Sequence, residues 1–173
     1  MLPVSIRHSG KDYDLRHLAQ QFRTFLWKGS DGSDFHFSVR VRYTDHCISE
    51  KVDVAAIPES CLFANNRVFD VDRYKWSLQL PSIVEGLFAK PTSSIQLTPE
   101  KNGYVFRLTM NHPLAVGEKY YCFFRLKRSH EFIAGEHPSK LDLVIESAYA
   151  RFIDPARANE RIMFGRLAER LVK

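Results

Sequence analysis

A chain of 173 residues with 45% hydrophobic and 13% aromatic content carries enough apolar side chain for one proper core, which excludes a disordered or fibrous chain. Lys and Arg outnumber Asp and Glu by 25 to 20, a formal charge of +5; this modest excess permits contact with phosphates and argues against an acidic-surface role. No apolar run approaches the ~20 residues of a membrane span, and MLPVSIRHSGKDYDL lacks the apolar core of a signal peptide, so a cytoplasmic protein without a membrane partner is expected.

PVSI, at 3–6, reads as a short strand and SGKDY as a turn. In DLRHLAQQFRTFLW, Leu15, Leu18, Phe22, Phe25 and Leu26 recur at three- and four-residue steps behind Asp14. That spacing predicts an amphipathic helix, with a loop entering a strand at Phe25 as the competing reading. GSDGSD, at 29–34, is a turn whose flanks form a hairpin. In FHFSVRVRY, Phe35, Phe37, Val39, Val41 and Tyr43 alternate with His36, Ser38, Arg40 and Arg42, the pattern of a half-buried strand with a basic outer face. SEKVDVAAIPESCLFANNRVFD, interrupted by Pro58, Asn65 and Asn66, reads as loop with short extended pieces.

From Asp70 onward, Tyr74, Leu78, Ile83, Leu87 and Phe88 fall near helical spacing. Pro81 either breaks that run or opens a second helix, over about Ser82 to Ala89. SSIQLTPE, GYVFRLTMN, EKYYCFFRLKR and KLDLVIESAYARF are β-rich and separated by Gly, Pro or Asn, predicting three or four antiparallel strands. The tail PARANERIMFGRLAERLVK has Pro155 at a helix start and an apolar stripe of Ile162, Met163, Leu167 and Leu171. With no repeat or linker, 1–173 reads as a single α+β domain: a mostly antiparallel sheet with two or three packed helices, one of them C-terminal.

The seven histidines, His8, His17, His36, His46, His112, His130 and His137, are scattered. HExxH, Walker, GxGxxG, GxSxG and zinc-finger spacings are all missing, which disfavours the familiar metal and cofactor enzymes and implies no cofactor. Zinc on His46, Cys47 and Cys61 is disfavoured because adjacent strand residues point to opposite faces. Nothing local activates Cys47 or Cys61 as a nucleophile, and Cys122 alternates with Tyr120, Phe124 and Leu126 as core. The three cysteines form no CxxC pair and read as free thiols of a reducing compartment.

Metal-free RNA cleavage needs only His, Arg, Lys, Ser and Tyr: a base takes the 2′-hydroxyl proton, cations stabilise the crowded phosphate, and an acid protonates the leaving oxygen. In YYCFFRLKRSH, Tyr121 and Phe123 lie on the side of Arg125 and Lys127, with Arg128 past the strand end, a set able to stack bases and track phosphates. The plainer readings make this face a covered one, His17 a surface histidine beside Arg16, His46 a turn histidine after Asp45, and Ser147 and Tyr149 the end of a core-facing strand on the side of Leu143 and Ile145.

HPSKLDLVIESAYARF resembles the closing strand of ribonuclease toxins of the barnase, EndoU, colicin and RelE type, in which a Ser or Thr shortly before a Tyr sits in the catalytic cleft. Ser147 and Tyr149 match that pattern over the last quarter of the chain, while the proline that follows the Tyr in the family is missing. The resemblance implies a metal-independent endoribonuclease, with RNA or DNA and a neutralising protein as partners. In it, His17 or His46 is base or acid, Arg40, Arg42 and Arg125 hold the phosphate, and Ser147 and Tyr149 position the 2′-hydroxyl. Across the whole chain, YDLRHL, DHC, SLQLP and IESAY resemble an uncharacterised family of small bacterial proteins, which implies no activity. The competing reading is a non-catalytic accessory protein of a mobile element that binds nucleic acid or a protein through the same basic aromatic face.

Overall fold

The computed structural model describes residues 2–53, 62–63, 66–98, 105–111, 119–129, 140–151 and 160–173. Strands β1 (Ser5–His8) and β2 (Lys11–Asp14) pair antiparallel around Ser9 and Gly10, both at positive φ (50° and 76°), the combination a tight two-residue hairpin requires. A 3-10 turn at Arg16–Leu18 then buries Leu15 and Leu18.

Where a helix is expected from Asp14 onward, the chain instead forms β3 (Gln21–Lys28), paired antiparallel with β4 (Asp34–Tyr43). Phe25 is buried while Phe22 and Leu26 are exposed, so the spacing that resembles a helical stripe is divided between two strand faces. Long-range pairing with β4 and the aromatic, β-prone composition override the weak helical preference. The predicted hairpin turn is present: Gly29 N donates to Ser33 O at 2.8 Å, and Gly32 adopts φ 82°.

After a 3-10 turn at Asp45–Cys47, a small sheet forms from β5 (Ser49–Lys51), β6 (Leu62–Phe63) and β7 (Arg67–Phe69), in the order β5-β7-β6. Residues 54–61, with Pro58 and Cys61, lie outside the described residues. Helix α1 (Val71–Ser77) is capped by Asp70, whose carboxylate accepts from Arg73 N at 2.7 Å, as a helix start prefers. Helix α2 (Leu80–Ala89) carries Pro81 in its first turn, where no intrahelical N–H is lost.

The remaining strands are β8 (Ser94–Thr98), β9 (Val105–Asn111), β10 (Lys119–Arg128), β11 (Leu141–Arg151) and β12 (Glu160–Met163), followed by α3 (Phe164–Val172). The C-terminal helix is therefore shorter than expected. Ile162 and Met163 belong to β12, which pairs with β8, and Pro155 lies outside the described residues. Phe164 N and Gly165 N donate to Ser93 O (3.0 Å) and Pro91 O (2.8 Å), which fixes the helix start by satisfying donors the first turn leaves open.

Among the described residues the main sheet has seven strands in the order β12-β8-β9-β10-β11-β4-β3, in which only β11 and β4 run parallel. This is the expected α+β arrangement. Its inner face, including Phe37, Val39, Val41, Cys122, Phe124, Leu143 and Ile145, packs with Ile83, Val84, Leu87 and Phe88 of α2 and with Phe164, Leu167 and Ala168 of α3 in one core. Among the described residues no helix is long and apolar enough to cross a membrane.

A β-bulge between Phe123 and Phe124 of β10 leaves Glu146 as the extra residue of β11. Leu143 and Ile145 face the core, and so does Ala148, three positions on. Ser147 and Tyr149 therefore lie on the outer face, not on the Leu143 side that uninterrupted alternation gives them, because an extra residue shifts strand parity by one.

Candidate nucleic-acid interface

The outer face is assembled by register. Asp142 pairs with Arg40 on one side and Lys127 on the other, Val144 with Arg42 and Arg125, Ser147 with Phe123, and Tyr149 with Tyr121. Three adjacent strands thus bring Arg40, Arg42, Tyr121, Phe123, Arg125, Lys127, Ser147 and Tyr149 to one side. Arg128, the last residue of β10, is paired with the inward Leu141 and alternates to the other side, where it is exposed.

These residues do not offer their chemistry equally. Arg40 and Asp142 are nearly buried (side chains 9% and 5% exposed) and joined by two hydrogen bonds, Nε to Oδ1 at 2.7 Å and Nη2 to Oδ2 at 2.8 Å. The Arg40 charge is answered within the protein, and a phosphate has no access to it. Tyr121 and Phe123 are also buried, with Tyr149 packed on them at ring distances of 6.4 and 5.3 Å. They form a satellite cluster, and no base can stack on their faces.

Arg42 and Arg125 are different, with side chains 39% and 41% exposed. Arg42 Nη2 is 3.5 Å from Asp142, and Arg125 Nε is 3.3 Å from Glu146. Arg42 Nε is buried without a hydrogen-bond partner, a costly arrangement for a donor, whereas Arg125 Nε has the Glu146 carboxylate as its ion-pair partner. Lys127 is exposed beside them. A cleft of about 410 Å³ opens here, lined by Gln20, Arg42, Thr44, Lys127, Val144 and Glu146 among others.

The two candidate histidines part company. His46 sits in the 3-10 turn at the end of β4, where Thr44 Oγ1 accepts from His46 N at 3.3 Å and donates to Glu146 O at 2.6 Å. Its carbonyl accepts from Arg73 Nη1 at 3.0 Å, and the same guanidinium lies 5.5 Å over the Tyr149 ring. Partial burial, reinforced by the charge of Arg67, holds the His46 imidazole below its ordinary pKa, so it is neutral at pH 7. His17 stands at the other end of α1, its Nε2 2.8 Å from Ser77 Oγ and its ring edge-on to Tyr74. Burial lowers its pKa as well. Ser147, Tyr149 and the His46 turn thus gather around β11 and Arg73, whereas His17 is engaged elsewhere.

Cys47 is fully buried, with its thiol donating to Ile145 O at 3.6 Å, and burial raises its pKa far above the ordinary thiol value. Burial pushes Cys122 up to about 12. Both are core thiols without nucleophilic character, as the alternation around Cys122 suggests. Among the described residues no group of three or more His, Cys, Asp or Glu side chains could hold a metal ion.

With this geometry in place, comparison with protein families gives one result: the model of the YjaZ family matches residues 5–172. The chain belongs to the YjaZ family. No curated protein and no solved structure matches it. YjaZ family membership agrees with the whole-chain resemblance to a small bacterial family and brings no ribonuclease relative with it.

Sequence reasoning missed the residues that decide the outer face of this YjaZ family member. Asp142 neutralises Arg40, Glu146 faces Arg125, and Arg73 spans from the His46 turn to Tyr149. One signal was present: KLDLVIE places acids four residues apart in a strand otherwise apolar. On a buried strand such acids call for cationic partners.

Proposed function

We propose that the chain is a non-catalytic nucleic-acid-binding protein that holds single-stranded RNA by its phosphates along the outer sheet face, with Arg42, Arg125 and Lys127 as the contacts. The observation that carries this reading is the group of solvent-reachable cations on the outer face: Arg42 and Lys127 line one cleft, and Arg125, 41% exposed, shares the pairing partner Val144 with Arg42. A phosphate can accept from the exposed parts of these guanidinium groups, whose fork suits that geometry. Binding is favoured over cleavage because cleavage asks for an acid and a base at the same ribose–phosphate. His17 is engaged with Ser77 at the far end of α1, and the His46 turn is held by Thr44 and Arg73.

Three phosphate contacts on a single strand give a slope of about −2 in log affinity against log salt, at ~0.7 per contact. Anisotropy titration of a labelled RNA should show that slope, and Lys127→Ala should flatten it by about 0.7. A DNA strand of the same sequence competes, since phosphate contacts carry no sugar discrimination. Total RNA incubated with the protein and EDTA stays intact. Wild-type protein that binds no RNA at low salt refutes the proposal, as does EDTA-resistant cleavage to 2′,3′-cyclic phosphates that His46→Ala and Ser147→Ala abolish.

A further inference from the structure

The two edges of the main sheet meet at a second basic site. Trp27 and Lys28 end β3, one edge strand, while Arg161, Ile162 and Met163 lie on β12, the opposite edge, and all five line a single cleft of about 630 Å³. The sheet therefore curls around α2 and α3 until its edges face each other. Arg166 of α3 and the hydroxyls of Ser30, Thr92 and Ser94 complete the lining. Its volume lies in the range of about 300–1,000 Å³ typical of small-molecule sites.

Two features give the cleft a chemical preference. First, Lys28, Arg161 and Arg166 are, among the described residues, its only charged lining residues, all three positive. None of the three is in an ion pair among the described residues. The neighbouring carboxylates are committed: Glu169 accepts from Trp27 Nε1 (2.9 Å) and Lys173 (2.7 Å), and Asp31 accepts from Ser33 and Lys173. A cleft lined by one sign of charge concentrates ligands of the other.

Second, the aromatic wall is fixed in place. The six-membered ring of Trp27 lies on Gly165 so closely that a Cβ at 165 would overlap it, and the hydrogen bond to Glu169 sets the ring's orientation. Trp27 remains half-buried and lines the cleft together with Ile162 and the exposed Met163. A rigid indole in the same cleft as a thioether offers a planar ring an apolar seat, with little ordering cost on the Trp27 side.

We propose that this cleft binds a nucleotide: a planar base against Trp27 and Met163, with its phosphate held by Lys28, Arg161 and Arg166 and its sugar beside the hydroxyls. The site is separate from the outer face that carries the proposed RNA contacts. The nucleotide is either free or the 5′-terminal residue of a strand, and both carry the same chemistry.

Calorimetric titration with AMP, adenosine and inorganic phosphate tests the idea, with loss of indole fluorescence as a second readout. AMP should bind at least about tenfold more tightly than either fragment, because base and phosphate contacts combine in one ligand. The Arg161→Ala/Arg166→Ala variant, both positions being exposed, should melt like wild type and lose about tenfold or more in AMP affinity. Lys75→Ala on α1 leaves binding unchanged. A 5′-phosphorylated tetranucleotide that binds where its 5′-hydroxyl form does not, with AMP weak, identifies a strand end as the source; strong AMP binding identifies the free nucleotide. The proposal falls if no probe carrying both base and phosphate binds saturably at millimolar concentration, if adenosine matches AMP and the tetranucleotide binds equally with or without its 5′-phosphate, or if the double variant binds as wild type does. RNA binding at the outer face is scored in parallel with Lys127→Ala, so either site can fail without the other.

Discussion

Replacing Asp142 by Ala removes the counter-charge at the centre of the outer face. Its carboxylate makes both short bonds to Arg40 and lies 3.5 Å from Arg42, in a pair whose side chains are 9% and 5% exposed. Truncating one partner leaves a nearly buried guanidinium uncompensated, which costs about 3–5 kcal/mol. For a domain of this size each kcal/mol lowers the melting midpoint by roughly 2–4 °C, so a fall of about 6–20 °C is expected. The double variant Arg40→Met/Asp142→Leu removes the desolvation cost together with the attraction and should return to within about 1 kcal/mol of wild type. Urea unfolding of wild type, Asp142→Ala and the double variant measures both quantities. The reasoning is refuted if Asp142→Ala costs less than about 1 kcal/mol, well short of the buried-pair figure, or if the double variant is no more stable than the single one.

Three further outcomes follow from the same structure. Burial pushes Cys122 up to about 12, so only about one thiolate in ten thousand exists at pH 8. Iodoacetamide should leave Cys47 and Cys122 unmodified in the native protein, and rapid labelling of either, read by peptide mass, contradicts the burial. Ala148 is fully buried and inward because of the bulge; Ala148→Leu should therefore cost about 1–3 kcal/mol. Ser147→Ala should cost clearly less, and the reverse order in urea unfolding would place the bulge elsewhere. His17 and His46 both have folded pKa values below the unfolded ~6.5, so the unfolded chain takes up protons first on acidification. The stability they support is complete above the unfolded value and is lost as pH falls from it toward the folded values. Urea midpoints at a series of pH values should show a shallower decline in His17→Gln, and an unchanged pH profile in that variant would count against the buried seat.

The elements that were legible in the sequence were those fixed by local pattern. β4 announces itself through uninterrupted alternation from Phe35 to Tyr43, and GSDGSD has the glycine its turn needs at positive φ. β3 was illegible because Leu15, Leu18, Phe22, Phe25 and Leu26 fit two periods, and what decides between them is pairing with β4. Ile162 and Met163 were drawn into a helical stripe for a similar reason, since their strand identity rests on β8, which lies far away in sequence. The site was legible at the level of which strands carry cations. What became of each cation was not, because Asp142 and Glu146 reach Arg40 and Arg125 from a strand whose parity a single bulge residue resets.

The formal charge of +5 takes on structural meaning once the internal pairs are removed. Arg40 is paired with Asp142, which also lies 3.5 Å from Arg42, and on the outer face Arg42, Arg125 and Lys127 lie beside Glu146. The cleft between the sheet edges holds Lys28, Arg161 and Arg166, with no carboxylate in its lining among the described residues. Cations are thus gathered beside each of the two clefts. Such local fields, more than the total, govern the capture of anions.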